Sequence, residues 1–129
     1  MTEMMCGFGN CVNMQMEKTD NLIVNLTFKF ALSIIIFTED HEQKRKFNLA
    51  NQLFRSGTSI GANVREAQGC ESRSDFIHKM KVAYKEAEET SYWIELCAYS
   101  ENYPDPGELV NEVTSILKVL GKIISTAKS

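Results

Sequence analysis

Between Leu53 and Gln68 the chain reads LFRSGTSIGANVREAQ, a run of small residues compatible with either a phosphate-wrapping loop or a helix. Periodicity decides between them. Ala50, Leu53, Phe54, Gly57, Ile60, Gly61, Val64 and Gln68 recur at three- and four-residue steps, which places the glycines inside a helix. A glycine in a helix interior costs on the order of 1 kcal/mol relative to alanine. Helices that carry such glycines are usually approached closely by another backbone. Gly57 and Gly61 are therefore expected to mark a site of close helix packing. A phosphate loop of the GxxxxGK[ST] kind would need a lysine and a preceding strand, and neither accompanies Gly57 and Gly61.

The rest of the chain reads as helices too. With two prolines and seven glycines in 129 residues, long segments run free of breakers. A first helix is expected from about Asn21 to Glu39, capped by Asp20. Ile23, Phe30, Ile34 and Phe37 share one of its faces, while Val24, Phe28, Ala31, Leu32 and Ile35 cover a second. Asn25, Lys29 and Ser33 leave only a narrow polar edge, interrupted by Ile36. The apolar span Leu22–Phe37 is short for a membrane helix of about 20 residues and contains Lys29, so burial by protein is expected. After a charged linker, EDHEQKRK, a second helix runs from about Arg45 to Gln68 or Gly69. Ser72 and Asp75 form a capping-box start for a third, Arg73 to about Asn102. Its core face is Phe76, Ile77, Met80, Ala83, Tyr84, Ala87, Ile94 and Ala98. The turn Tyr103-Pro104-Asp105-Pro106-Gly107 leads into a fourth helix, with Asp105 as cap and Pro106 in the first position. Leu109, Val113, Ile116, Leu117, Leu120 and Ile124 line one of its faces. Four helices with short connections predict an all-α, antiparallel up-down-up-down four-helix bundle over residues 20–129. Residues 1–19 read as an irregular tail, with the folded unit and an alternative start placed near Met16.

Catalytic chemistry finds little support. A di-metal bundle needs two Glu-x-x-His motifs and further inward glutamates. Asp75-Phe76-Ile77-His78 is the single relative of that motif, and His41 falls in the charged linker. Cys6, Cys11, Cys70 and Cys97 contain no CxxC pair, which leaves reduced, cytosolic thiols as the expectation. No metal, cofactor or catalytic residue is assigned, and the chain is read as a non-enzyme.

Surface features point instead to assembly. Val82, Trp93 and Leu96 lie together away from the core face of the third helix, and the first helix offers Val24, Phe28, Leu32 and Ile35 on its second face. Two surplus apolar surfaces predict a homo-oligomer with these seven residues at its interface. The third helix is also electrically divided, net +3 from Arg73 to Lys85 and net −5 from Glu86 to Glu101. That order opposes the helix dipole and fits head-to-tail pairing with a neighbour. An alternative role is nucleic-acid binding through Lys44, Arg45, Lys46, Arg55, Arg65, Lys79, Lys81 and Lys85, with Tyr92 and Tyr99 available to stack. The overall charge of −3 counts against it.

Two blocks, LANQLFRSGTSIGANVREAQG and SRSDFIHKMKVAYKEAEETSYWIEL, carry a family likeness. The chain resembles the bacterial four-helix-bundle proteins found in intervening sequences of 23S ribosomal RNA genes. The motif positions are Arg55, Ser56, Gly57, Ser59, Gly61, Asn63 and Glu66, then Asp75, Phe76, His78, Glu86, Ala87, Glu89, Tyr92 and Trp93. The resemblance implies a left-handed bundle assembled as a ring, commonly a homopentamer. It also implies kinship with the accessory protein of diversity-generating retroelements, a pentameric barrel that binds a reverse transcriptase and nucleic acid. It brings no catalytic residue. RNA or a nucleic-acid-bound protein is the partner the resemblance suggests, while the residues themselves lead to the expectation of no membrane association and a cytoplasmic location.

Overall fold

The computed structural model describes residues 21–129, so the expected tail and the Asp20 cap lie outside the described residues. Four helices follow in order: α1, Leu22–Gln43; α2, Phe47–Gln68; α3, Arg73–Tyr99; and α4, Leu109–Lys128. There is no strand among the described residues. Each helix packs on its neighbours in sequence, and α1 also meets α4 along the thinnest seam, so the four close into a bundle.

One spacing rule accounts for the core. Buried positions step by three and four in every helix: Ile23, Thr27, Phe30, Ile34, Thr38 and His41 in α1; Ala50, Leu53, Gly57, Ile60, Val64 and Ala67 in α2, where Ser56 is buried beside Gly57 as well. Met80, Ala83, Ala87, Thr90, Ile94 and Cys97 follow the rule in α3, and Leu109, Val113, Ile116 and Leu120 in α4. Alternating steps of this kind keep one stripe turned toward the bundle axis. Ala98, expected in the core, is exposed, and Cys97 takes the inward position. Phe54 likewise stands 49% exposed although it sits among the periodic apolar residues.

The glycine stretch packs on α1. A Cβ at Gly57 would meet Ile34 Cγ1 at 2.8 Å, and one at Gly61 would meet the Thr27 carbonyl oxygen at 3.3 Å. Thr27 and Thr38 can face the core because their hydroxyls donate to the Ile23 and Ile34 carbonyls, at 2.8 and 2.9 Å. Between α2 and α3 the corresponding polar contact is Thr90 Oγ1 to Ser56 Oγ, 2.8 Å apart and buried.

Helix α2 starts at Phe47 and α3 ends at Tyr99, two and three residues inside the expected bounds, and three further boundaries differ for a local reason. Asn21 caps α1, its side-chain oxygen facing the Val24 N–H at 3.5 Å. The helix then runs through most of the supposed linker to Gln43. Its end is a Schellman closure: Lys46 N–H donates to the His41 carbonyl and Arg45 N–H to that of Glu42. Arg45 occupies the left-handed region, φ 61°, where glycine is the usual stop signal. At the other turn Gly107 has φ 57°, which no helix continues through. The fourth helix therefore starts after it, at Leu109. Pro106 is buried and accepts the Leu109 N–H instead of opening the helix. Ser72 caps α3 as expected from its hydroxyl, which accepts from the Asp75 N–H at 3.1 Å.

Candidate functional site

Helix α1 is far more apolar than its neighbours need. At 22 residues α1 is long and apolar enough, by length and composition alone, to cross a membrane, as the core helix of a soluble protein can also be. Only 28% of its most apolar stretch is buried in the bundle. Val24, Phe28, Leu32 and Ile35 are all half-buried, at the flank of the buried stripe. Val24 also packs on the core, and the Arg65 guanidinium lies 5.0 Å from the Phe28 ring centre. Ile36 and Leu22 stand 69% and 60% exposed on the outer side. Ile36 was visible in the sequence as the residue breaking the polar edge.

A second apolar region lies on α3. Trp93 is half-buried and packs against the core, while its indole N–H donates to Glu89 at 3.1 Å. Leu96, Tyr92 and Tyr99 emerge beside it, and Val82 is half-buried on the same helix. Trp93 and Leu96 line a groove of about 560 Å³ whose α2 wall is Asn48, Leu49, Asn51 and Gln52. That wall carries no charge. Since α1 borders α2 and α4, and α3 borders the same two, the outer sides of α1 and α3 occupy opposite corners of the bundle.

The motif residues on α2 and α3 form an interhelical ion cluster. Arg55 pairs with Glu86 at 3.2 Å and with Glu89, holding the Glu89 carboxyl below its ordinary value with help from the Trp93 N–H. Lys79 pairs with Glu66 at 2.6 Å. These bridges join neighbouring helices, so Arg55 and Lys79 are locally neutralised. The other expected cations disperse. Lys44 bridges Asp40 at 2.7 Å, while Lys46 lies over the Tyr103 ring and Arg45 over that of Phe47. They sit at the start of α2, and Lys79 bridges to its end, roughly 30 Å away for a helix of this length. The eight cations thus form no single patch within one chain.

Two of them do share a site. Lys81, Tyr84, Lys85 and Glu88 follow one another at helical spacing on α3, facing Gly121, Ile124, Ser125 and Lys128 at the same spacing on α4. Together they line an open groove of about 500 Å³, mostly apolar at its floor. Lys128 and Gly121 were not singled out from the sequence, because only the pairing of α4 with α3 brings them to Lys81 and Lys85. The spacing signal is in the sequence, but Tyr84 also packs against the core, as its position on the core face predicts.

His41 is completely buried. Its Nδ1 lies 2.9 Å from the Phe37 carbonyl, an acceptor only, so the proton sits on Nδ1. Nε2 then faces Cys97 Sγ at 3.5 Å as acceptor for the thiol. Burial pushes the Cys97 thiol up to about 11, which keeps it protonated and poorly nucleophilic. This is core packing at the Tyr103 end of the bundle. His78 is exposed. Among the described residues, no three His, Cys, Asp or Glu side chains converge as metal ligands would.

Comparison with known proteins agrees with this architecture. The model of the family described as 23S rRNA-intervening sequence protein matches residues 19–125. A crystal structure of a protein of unknown function from the S23 ribosomal protein family of Bacteroides thetaiotaomicron VPI-5482 superposes with a TM-score of 0.75 at 40% identity. The alignment covers 79% of this chain and 97% of that one. None of the curated proteins matches. With all but the last turn of α4 inside the matched segment, the chain belongs to the 23S rRNA-intervening sequence protein family.

Proposed function

We propose that this chain is a non-enzymatic scaffold: an antiparallel up-down-up-down bundle that assembles with copies of itself into a ring, most simply a homopentamer, and binds partners in the cytoplasm. The observation that carries this reading is the pair of uncovered apolar surfaces on α1 and α3, at opposite corners of the bundle. Two different surfaces that bind each other make a heterologous contact, and repeated heterologous contacts close into rings when the rotation allows. The charge division of α3 supports the same head-to-tail order. Thr27 opposite Gly61 and Ile34 opposite Gly57 run in opposite senses along α1 and α2, which supports antiparallel packing. The number five rests on the family resemblance. Light scattering of the native chain should give a mass about five times 14.6 kDa. Leu96→Glu, at an exposed position, should reduce that mass with helix content unchanged. A native mass equal to one chain would overturn the reading.

A further inference from the structure

We propose that the groove between α3 and α4 binds a nucleotide unit, with the base against the Tyr84 ring and the phosphate among the ammonium groups of Lys81, Lys85 and Lys128. Its volume of about 500 Å³ lies within the range of about 300–1,000 Å³ found for small-molecule sites. The floor is apolar and aromatic, supplied by Tyr84 and Ile124. Gly121 keeps the α4 wall low: even a Cβ there would come no nearer than 3.8 Å to the Tyr84 ring. A longer side chain at position 121 would therefore run against that ring and fill the groove.

The charge pattern selects what else the ligand carries. Lys44, Arg55 and Lys79 are each ion-paired to a carboxylate. Among the described residues, Lys81, Lys85 and Lys128 are in no ion pair. Three cations and one acid, Glu88, thus line an apolar slot in a chain whose net charge is −3. This local excess suits an anion attached to an aromatic body. Lys81 precedes Tyr84 by one turn and Glu88 follows it by one turn, so Glu88 is placed to accept from a base amino group, as carboxylates do from cytosine. A phosphorylated peptide would use the cations but leave the aromatic floor idle. The ligand is a free nucleotide or one residue of a single strand, in which stacking and phosphate contacts act together.

Every groove residue comes from one chain, so this site stands or falls independently of the ring. The test is fluorescence anisotropy of the full chain with a short, unstructured, end-labelled RNA across a salt series, with cytidine and adenosine monophosphate as competitors. Saturable binding is expected. Displacement by the monophosphates would identify a free nucleotide as sufficient, and displacement only by unlabelled RNA would identify the strand; both support the site. Lys85→Gln with Lys128→Gln should weaken RNA binding roughly tenfold and reduce the slope of log K against log salt by about 0.7, as expected for loss of one phosphate contact on a single strand. Gly121→Met fills the slot without changing charge, and should weaken binding with the salt slope unchanged. Lys118→Gln with Lys122→Gln removes two exposed cations of α4 outside the groove, and should have little effect. Absence of saturable binding to any of these probes, unchanged binding by Gly121→Met, or an equal loss in the Lys118/Lys122 pair would overturn the proposal.

Discussion

Replacing three helix glycines one at a time by alanine separates helix propensity from close packing. Each substitution gains about 1 kcal/mol of propensity, because alanine is that much better than glycine in a helix interior. At Gly121 nothing opposes the gain: the nearest atom to the new Cβ is Tyr84 Cε2 at 3.8 Å, an ordinary contact. At Gly57 the new Cβ would lie 2.8 Å from Ile34 Cγ1, 3.0 Å from Cγ2 and 3.1 Å from Cδ1. Ile34 is fully buried and branched at Cβ, so it has no free rotamer to move into. Forced repacking of that kind costs about 1–3 kcal/mol. The net expectation is a loss of about 1 kcal/mol at Gly57 against a gain of about 1 kcal/mol at Gly121. Gly61 falls between, since its Cβ would sit 3.3 Å from a backbone carbonyl that cannot retract. Urea unfolding followed by far-ultraviolet circular dichroism, at one fixed chain concentration so that assembly contributes equally, measures all three. Gly57→Leu should abolish the fold. If Gly57→Ala proves as stable as Gly121→Ala, the close approach of α1 and α2 at Ile34 is wrong.

Other substitutions test further parts of the fold. Arg45→Gly relieves a side chain held at φ 61° and should raise stability by about 0.5–1 kcal/mol in the same assay. Ser59 Oγ is buried without a hydrogen-bond partner, so Ser59→Ala should be neutral or stabilising, whereas Thr90→Val strands the Ser56 hydroxyl and should cost about 1–3 kcal/mol. The Arg55 hydrogen bond, then the Trp93 N–H, hold the Glu89 carboxyl below its ordinary value of 4.5. A carboxyl depressed in the folded state contributes stability above that value and loses it as pH falls through its folded value. Glu89→Gln should therefore flatten the decline in stability below about pH 4.5, by less than about 1 kcal/mol for so exposed a pair; an unchanged acid profile would remove Glu89 from the account of it.

Much of the bundle was legible because core spacing outlasts imperfect chemistry. The glycine stretch was placed in a helix by period alone, and its partner turned out to be the helix with the most apolar surface. His41 reads as a linker residue in the sequence because charged neighbours disguise it. Its steps from Thr38 and Ile34 continue the stripe of α1, but threonine and histidine count as polar until their hydrogen bonds are known. Thr27, Thr38, Ser56 and Thr90 became core residues only through hydroxyl contacts with backbone carbonyls or one another. The end of α1 was hidden because Arg45 takes the left-handed position where a glycine would have announced it. Among the cations, sequence separation was a poor guide. Arg55 and Lys79 are spent on neighbouring helices, while Lys128 joins Lys81 and Lys85 from another helix altogether.

Ring assembly through unlike faces is tested most directly by light scattering on two variants, alone and mixed: Leu32→Glu on α1 and Leu96→Glu on α3. Each variant keeps one sound face and spoils the other, so each alone should give the mass of a single chain. Mixed, the sound α3 face of the first meets the sound α1 face of the second, and the mass should rise to two chains and stop there. A mixture that stays at one chain, or variants that keep the native mass, would contradict heterologous closure between α1 and α3.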